Sequence, residues 1–370
     1  MVFGGDEKLR GAIDKAVERY APKIIFVFAS CASGIIGDDI DATCADKHDE
    51  YPDTIIVPIH CEGFKSKVCA SGFDTAFISI SKYVLPQEKQ ETEPGLINLF
   101  APVSISYKDQ CEMERMLEEL GCHANYIPFF SSVEKMRRIP AAQASTSICK
   151  VFADEFMYQL ERDYGIPYSH TVMPIGLRNT DLWLRGVAKA VGKEEEAEAI
   201  IEREHKRIEP LVAEIRERLQ GKRVFICGGT GRSFAAAALV GDLGMELVGI
   251  ETPTYDQDAQ DDIEYLNGIY KEFVVDIANM QPFEQANLLT KLKPDCFIGV
   301  PTWAAKLGIP TTHVLDFKRP TMGYNGIVYL GRKMADQLEN PGFNKKLAAH
   351  VKLPYREAWY AENAFKFINL

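Results

Sequence analysis

Short β-branched runs, separated by amphipathic helical stretches, constrain this chain more than any other feature. The runs occupy 24–28, 54–58, 96–99, 223–226, 247–250, 296–299 and 312–315. A brief, nearly continuous apolar run suits a strand whose two faces are both covered. Strand alternating with helix therefore predicts an α/β fold built on parallel sheets. In such sheets ligands bind where loops leave the carboxyl ends of the strands. Cys31, Cys61, Gly228 and His313 all fall at or just past such an end.

A chain of 370 residues is long enough for two or three domains. The pattern divides it into a first α/β domain over 1–92 and a second over 93–220. The second carries Cys149 and closes with a charged amphipathic helix over 193–219 that crosses to the third. The third, over 221–335, carries the Gly228–Gly229 loop and His313, and 336–370 forms a C-terminal wrap against a neighbouring domain or subunit. The longest apolar stretch, 24–36, is interrupted by Ser30, Cys31 and Ser33. It is far short of the roughly 20 residues of a membrane helix, so no span is expected. The N-terminal residues lack the basic and apolar regions of an export signal, which predicts a cytoplasmic protein.

Nine cysteines, an odd number without a CxxC spacing, argue against a disulfide framework and against a structural zinc site. They leave thiolate chemistry or simple packing. A net charge of -11 without any Lys/Arg block makes nucleic acid an unexpected partner. The acidic run Glu194-Glu195-Glu196 reads as a solvated helix face.

Cys227-Gly228-Gly229-Thr230-Gly231-Arg232 follows a strand but is not a GxGxxG, so a nicotinamide site is disfavoured. Glycines there let backbone approach an anion closely, and Arg232 adds a fixed charge, which suits an anionic cluster as well as a phosphate. Cys31 opens a strand-to-helix turn, where a helix N-terminus favours the thiolate. Cys61-Glu62-Gly63-Phe64 repeats that placement one strand later. Cys149 precedes a helix that ends at Tyr164-Gly165-Ile166-Pro167, and His313 is followed by Asp316, Pro320 and Gly323-Tyr324-Asn325-Gly326. A lone thiol and a lone imidazole so placed can hold the two ends of one metal cluster. Taken singly, each reads as an ordinary packed side chain.

In order along the chain, these pieces resemble component 1 of the nitrogenase superfamily, most closely its α-type subunit. The matching residues are Phe3-Gly4-Gly5-Asp6 with Lys8-Leu9, Cys31 with Gly37-Asp38-Asp39-Ile40, Cys61-Glu62-Gly63-Phe64, Cys149 with Tyr164-Gly165-Ile166-Pro167, and Gly221-Lys222-Arg223-Val224. They continue through Gly228-Gly229, Leu243-Gly244-Met245-Glu246, Lys293-Pro294-Asp295 and His313 with Asp316. The resemblance implies three Rossmann-like parallel-sheet domains around a central cofactor cleft. It makes the first domain incomplete, because the chain begins where family members are already about a quarter of the way in.

By the same resemblance Cys31 is a ligand of the iron-sulfur bridging cluster shared with a homologous β-type subunit. Cys149 binds the terminal iron of a nitrogenase-type metal-sulfur cofactor, and His313 binds the metal at its other end. Gly228, Gly229 and Arg232 line the cluster sulfurs. An ATP-dependent iron-sulfur reductase supplies electrons for a small-molecule substrate in a heterotetramer. The chain also departs from the family. Cys69 and Phe73 stand where dinitrogen-reducing members carry a Gln and a His, which favours another substrate. The lysine-bearing segment for the organic acid is shortened between Gly299 and Pro310, so a homocitrate ligand is not carried over. Three other readings remain in view, the blandest being a cluster-free α/β binding protein left by truncation. A cofactor-assembly scaffold typically keeps the Cys and loses the His. A tetrapyrrole reductase of the same superfamily uses the bridging cluster alone.

Overall fold

The computed structural model describes residues 4–65, 70–101, 105–129, 131–149, 152–169, 172–255, 259–278, 281–300 and 303–363. The chain divides into two compact units. The first comprises 1–103 with 122–170, and the second 104–121 with 171–370.

Two parallel sheets build the first unit. Strands β1 (Ile24–Phe28) and β2 (Ile55–Ile59) pair with Phe26 opposite Val57. Strands β3 (Glu93–Ala101), β4 (His123–Pro128) and β5 (Ala142–Ser147) form the second sheet in the order β4-β3-β5. The central strand β3 is flanked on both edges and covered on both faces. Its Leu96, Ile97, Leu99 and Phe100 are accordingly fully buried, as a continuous apolar run requires. An aromatic cluster closes the core beneath it. Phe77 stacks on Phe156 with ring centres 4.9 Å apart, and Phe100 meets both rings edge-on.

The second unit carries a five-stranded, wholly parallel sheet ordered β10-β9-β6-β7-β8. Its strands are β6 (Arg223–Cys227), β7 (Glu246–Thr252), β8 (Val274–Ile277), β9 (Cys296–Ile298) and β10 (Thr311–Thr312). The chain winds outward from β6 through β7 and β8, then crosses back to place β9 against the other edge of β6. The strand order therefore reverses beside β6, and the crevice for a ligand opens at the carboxyl ends of β6 and β9. Gly228 and Gly229 stand at that point.

The helix expected over 193–219 is present as Glu194–Leu219 and packs against Leu177–Val191 and Gly323–Glu339. The C-terminal tail lies against its own unit. Asn287 donates to the Trp359 carbonyl at 2.9 Å, and the Trp359 ring meets Phe283 edge-on. No described helix is long and apolar enough to cross a membrane.

Asp109 ties the helix Tyr107–Glu119 to the segment before Gly323–Glu339. It is completely buried. Its Oδ2 accepts from the Ser106 N–H at 3.0 Å and the Ser106 hydroxyl at 2.7 Å. Its Oδ1 accepts from the Thr321 N–H at 2.6 Å, the Thr321 hydroxyl at 3.1 Å and the Met322 N–H at 3.1 Å. Asp109→Ala would leave these donors buried without an acceptor, so a loss of about 3–5 kcal/mol is expected. Urea denaturation measures it, and a loss below about 1 kcal/mol would show that the loop reorganises around the gap.

Candidate functional site

In the first unit, Cys31 is the first residue of the short helix Cys31–Ile36. Ser30 caps that helix, and its side chain and that of Ser33 satisfy each other's backbone N–H groups. Cys31 is exposed and Cys61 half-buried. They follow the paired strands β1 and β2, and a Cβ on Gly63 would lie 3.4 Å from the Cys31 sulfur. Glu62, buried between the two loops, accepts from Lys65 at 2.8 Å. That hydrogen bond holds its carboxyl below the usual range. A Cβ on Gly34 would sit 2.8 Å from the Glu62 side chain, so only glycine lets the Cys31 helix settle on this loop.

Cys149 lies two residues beyond β5. The Ser147 hydroxyl accepts its N–H at 3.2 Å and donates to the Phe152 carbonyl at 2.7 Å, while the Phe152 N–H returns to the Cys149 carbonyl at 3.0 Å. These bonds hold the backbone of Cys149 against Ser147 and Phe152. Ala153, fully buried, enters the next helix at φ 69°, a left-handed conformation that costs a residue with a Cβ about 1–2 kcal/mol. Phe73 rests edge-on against Phe152 with ring centres 4.7 Å apart. Cys69 lies outside the described residues.

The second unit brings Gly228, Gly229, Arg232 and His313 together. Gly229 caps the helix Thr230–Asp242, and Arg232 in its first turn donates to the Val314 carbonyl, next to His313. The Gly228 N–H is already given to the Glu251 carbonyl at 3.2 Å, so Gly228 can contribute close approach but not a free donor. A Cβ at Gly229 would meet open space. His313 sits just past β10, which is shorter than the run expected over 312–315. Its Nδ1 lies 3.2 Å from the Leu315 carbonyl. A carbonyl only accepts, so in this orientation Nδ1 carries the proton and the Nε2 lone pair is the one free to bind a metal.

Asp316 holds the same loop. Burial pushes its carboxyl up, but the Tyr329 hydroxyl, the Lys318 N–H and Lys333 outweigh that and hold it at about 2. It is therefore a fixed anion that positions the His313 loop.

Beside the Gly228–Gly229 loop, the sequence offers Glu251 only as a weak match for the acidic residue of a dinucleotide site, and its burial is not legible there. Glu251 ends β7 and is buried, with Gln285 donating to it at 2.9 Å. Burial, against that hydrogen bond, raises its carboxyl to about 7, and burial beside Glu251 raises the Cys227 thiol to about 12. Glu251 keeps its proton in the folded chain to about pH 7 and in the unfolded chain only to about 4.5. The native state thus holds the extra proton, and stability falls as pH rises from about 4.5 to about 7, then levels. Glu251→Gln keeps the shape without the ionisation. It is expected to exceed the parent by on the order of 3 kcal/mol at about pH 8 and to match it near pH 4. Urea midpoints at both pH values test this, and a less stable variant at pH 8 would contradict it.

Among the described residues no three His, Cys, Asp or Glu side chains come close enough together to hold a metal ion. Each candidate ligand is thus a single point of attachment. That donor set suits a preassembled cluster, which brings its own sulfides, and does not suit a bare ion that needs four protein donors.

Parallel sheets whose strand order reverses beside β6, with a thiol or an imidazole among the residues just beyond strand ends, place the chain among α/β proteins with a ligand crevice at the carboxyl ends of the strands. The chain belongs to the nitrogenase component 1 type oxidoreductase family, whose model matches residues 1–339. Two kinds of relative bear on its role. It is 29% identical over 367 residues to the nitrogenase iron-molybdenum cofactor biosynthesis protein NifE of Methanosarcina barkeri, covering 92% of this chain and 76% of that one. It is 26% identical over 351 residues to the nitrogenase molybdenum-iron protein alpha chain of Methanothermobacter marburgensis, covering 92% and 73%. The solved structure titled "Nitrogenase Cp1 at pH 5" superposes with a TM-score of 0.78 at 24% identity, covering 96% of this chain and 77% of that one, which shows the shared fold.

Proposed function

We propose that this chain is the α-type subunit of a nitrogenase-like reductase, in which Cys149 and His313 are the two protein ligands of a metal-sulfur cofactor. The observation that carries the reading is the setting of His313. Its ring is oriented by the Leu315 carbonyl, its loop is pinned by Arg232 through Val314, and the same loop is anchored by Asp316. A ligand held in this way is preorganised to keep a metal. Cys31 supplies a thiolate to a bridging iron-sulfur cluster shared with a homologous β-type subunit. The clusters supply electron storage and a reducing metal face. This chain's residues supply attachment, orientation and, through Arg232, a positive charge beside an anionic group. An ATP-dependent iron-sulfur reductase is the electron donor and a small molecule the acceptor.

A second reading, an assembly scaffold that releases its cofactor, is favoured by the NifE relatives. The two separate in one experiment. The protein is purified without oxygen together with its β-type partner, loaded with cofactor, and mixed either with a cofactor-free acceptor or with reductase, ATP and candidate small substrates. Retained metal with ATP-dependent substrate reduction supports the reductase. Metal that passes to the acceptor without any substrate reduction establishes the scaffold instead.

A further inference from the structure

A cavity of about 430 Å³ opens beside the Gly228–Gly229 loop, at the carboxyl ends of β6 and β7. Pro253, Ala278, Pro282, Val300 and Trp303 make most of its wall apolar. Its polar part is small and specific. Gln285 donates through Nε2 to the Glu251 carboxylate at 2.9 Å and to the Cys227 sulfur at 3.4 Å, which fixes the direction of its amide. The amide oxygen, Oε1, is then buried with no hydrogen-bond partner among the described residues. Gln285 and Glu251 are 6% and 4% exposed, so neither finds bulk water to compensate.

Charge selects what can enter. Glu251 lines the cavity, Asp276 lies behind it and Glu284 stands on the helix Pro282–Leu292. Burial raises the carboxyls of all three, and Asp276 has a buried oxygen without a partner. No Lys, Arg or His is among the described lining residues. An anion brought here would face uncompensated carboxyl groups at low dielectric. A cation would neutralise them, and a hydrogen-bond donor would satisfy the stranded amide oxygen.

We propose that this cavity binds a small protonated amine with a short apolar body, its ammonium donating to Gln285 Oε1 and pairing with the Glu251 carboxylate. The apolar body lies against Trp303 and Pro253. A wall mostly apolar, with a few convergent polar groups, is the usual make-up of a small-molecule site. The proposal needs no metal, although the cavity shares Gly228 and Gly229 with the loop that the resemblance sets against the cluster sulfurs.

The test is calorimetric titration of the purified protein, with its partner subunit, at about pH 8, where Glu251 is ionised, using benzylamine, benzyl alcohol and sodium benzoate as probes. Benzylamine is expected to saturate a single site at least about tenfold more tightly than benzyl alcohol, with benzoate not binding. Glu251→Gln should remove that preference by weakening benzylamine about tenfold and leaving benzyl alcohol unchanged. Trp303→Ala should weaken benzylamine and benzyl alcohol alike and keep their order. If either variant fails to fold, the ranking of the three probes on the parent still decides. Equal binding of all three, preference for benzoate, no saturable benzylamine binding, or unchanged benzylamine binding in folded Glu251→Gln would each overturn the proposal.

Discussion

Cys149→Ala and His313→Ala are each expected to strip the assembled protein of its cofactor iron while leaving its unfolding temperature nearly unchanged. The reason is the difference between a packing contact and a metal bond. Cys149 is only half-buried at the edge of the first unit's core, so removing its sulfur costs about 1 kcal/mol of packing or less. His313 is half-buried, and the hydrogen bond shown for its ring, to Leu315, is made within its own loop. On the proposed assignment, losing either side chain instead removes one of two attachment points of a whole cluster. Iron per chain, measured by elemental analysis on anaerobically purified protein with its β-type partner, reports the effect. Cys44→Ala provides the contrast. Cys44 is buried and its thiol is pushed up to about 11, so it is an inert core residue, and its variant should lose stability but keep full iron. Equal iron in the parent and in both ligand variants would refute the ligand assignment.

The fold was largely legible because burial on both faces leaves a simple mark. Strands β1, β2, β3, β6, β7 and β9 all lie within or overlap the apolar runs visible in the sequence. Strands β4, β5 and β8 left no such mark. The residues of β5 are Ala-Gln-Ala-Ser-Thr-Ser, small and polar, and they become buried only because β3 hydrogen-bonds to them along one edge. In β4, Asn125 sits in the interior because Asn98 on β3 accepts its amide at 3.1 Å. In β8 a buried Asp276 interrupts the apolar run. Each is a case of tertiary partners overriding local propensity.

The candidate residues stood out in the sequence for a different reason. Thiols and imidazoles just past strand ends, in a fixed order, point to chemistry even when each alone is bland. What the sequence could not carry was the second layer. Glu251 and Gln285 are 34 positions apart and meet only through the sheet's crossover. Arg232 and Val314, 82 apart, meet in the same way. The spacing of such pairs encodes nothing local, and only the strand order β9-β6-β7 brings them to one edge of the crevice.

Dinitrogen is not expected to be the substrate: ammonia formation by the loaded assembly should fall below reduction of its true small substrate by on the order of 100-fold or more. Reducing dinitrogen demands repeated protonation, and the side chain suited to that near neutral pH is an imidazole. This chain offers Phe73 at the position where the resemblance to dinitrogen-reducing members calls for one. The ring is about one-third exposed, at 38%, and is held edge-on by Phe152, whose own N–H is bonded to the Cys149 carbonyl. Phe73 also lines a cavity of about 650 Å³ with Phe28, Phe77 and Cys61. Among the described residues lining that cavity, Cys61 is the sole ionisable side chain, with neither imidazole nor carboxyl. A surface of that kind repels water and relays protons poorly, whereas it accommodates a compact, weakly polar molecule that needs few of them. Isotope-labelled dinitrogen supplied to the reductase-coupled assembly settles the matter. Labelled ammonia at a rate comparable to the best small substrate would mean that protons reach the metal face by a route that does not pass Phe73.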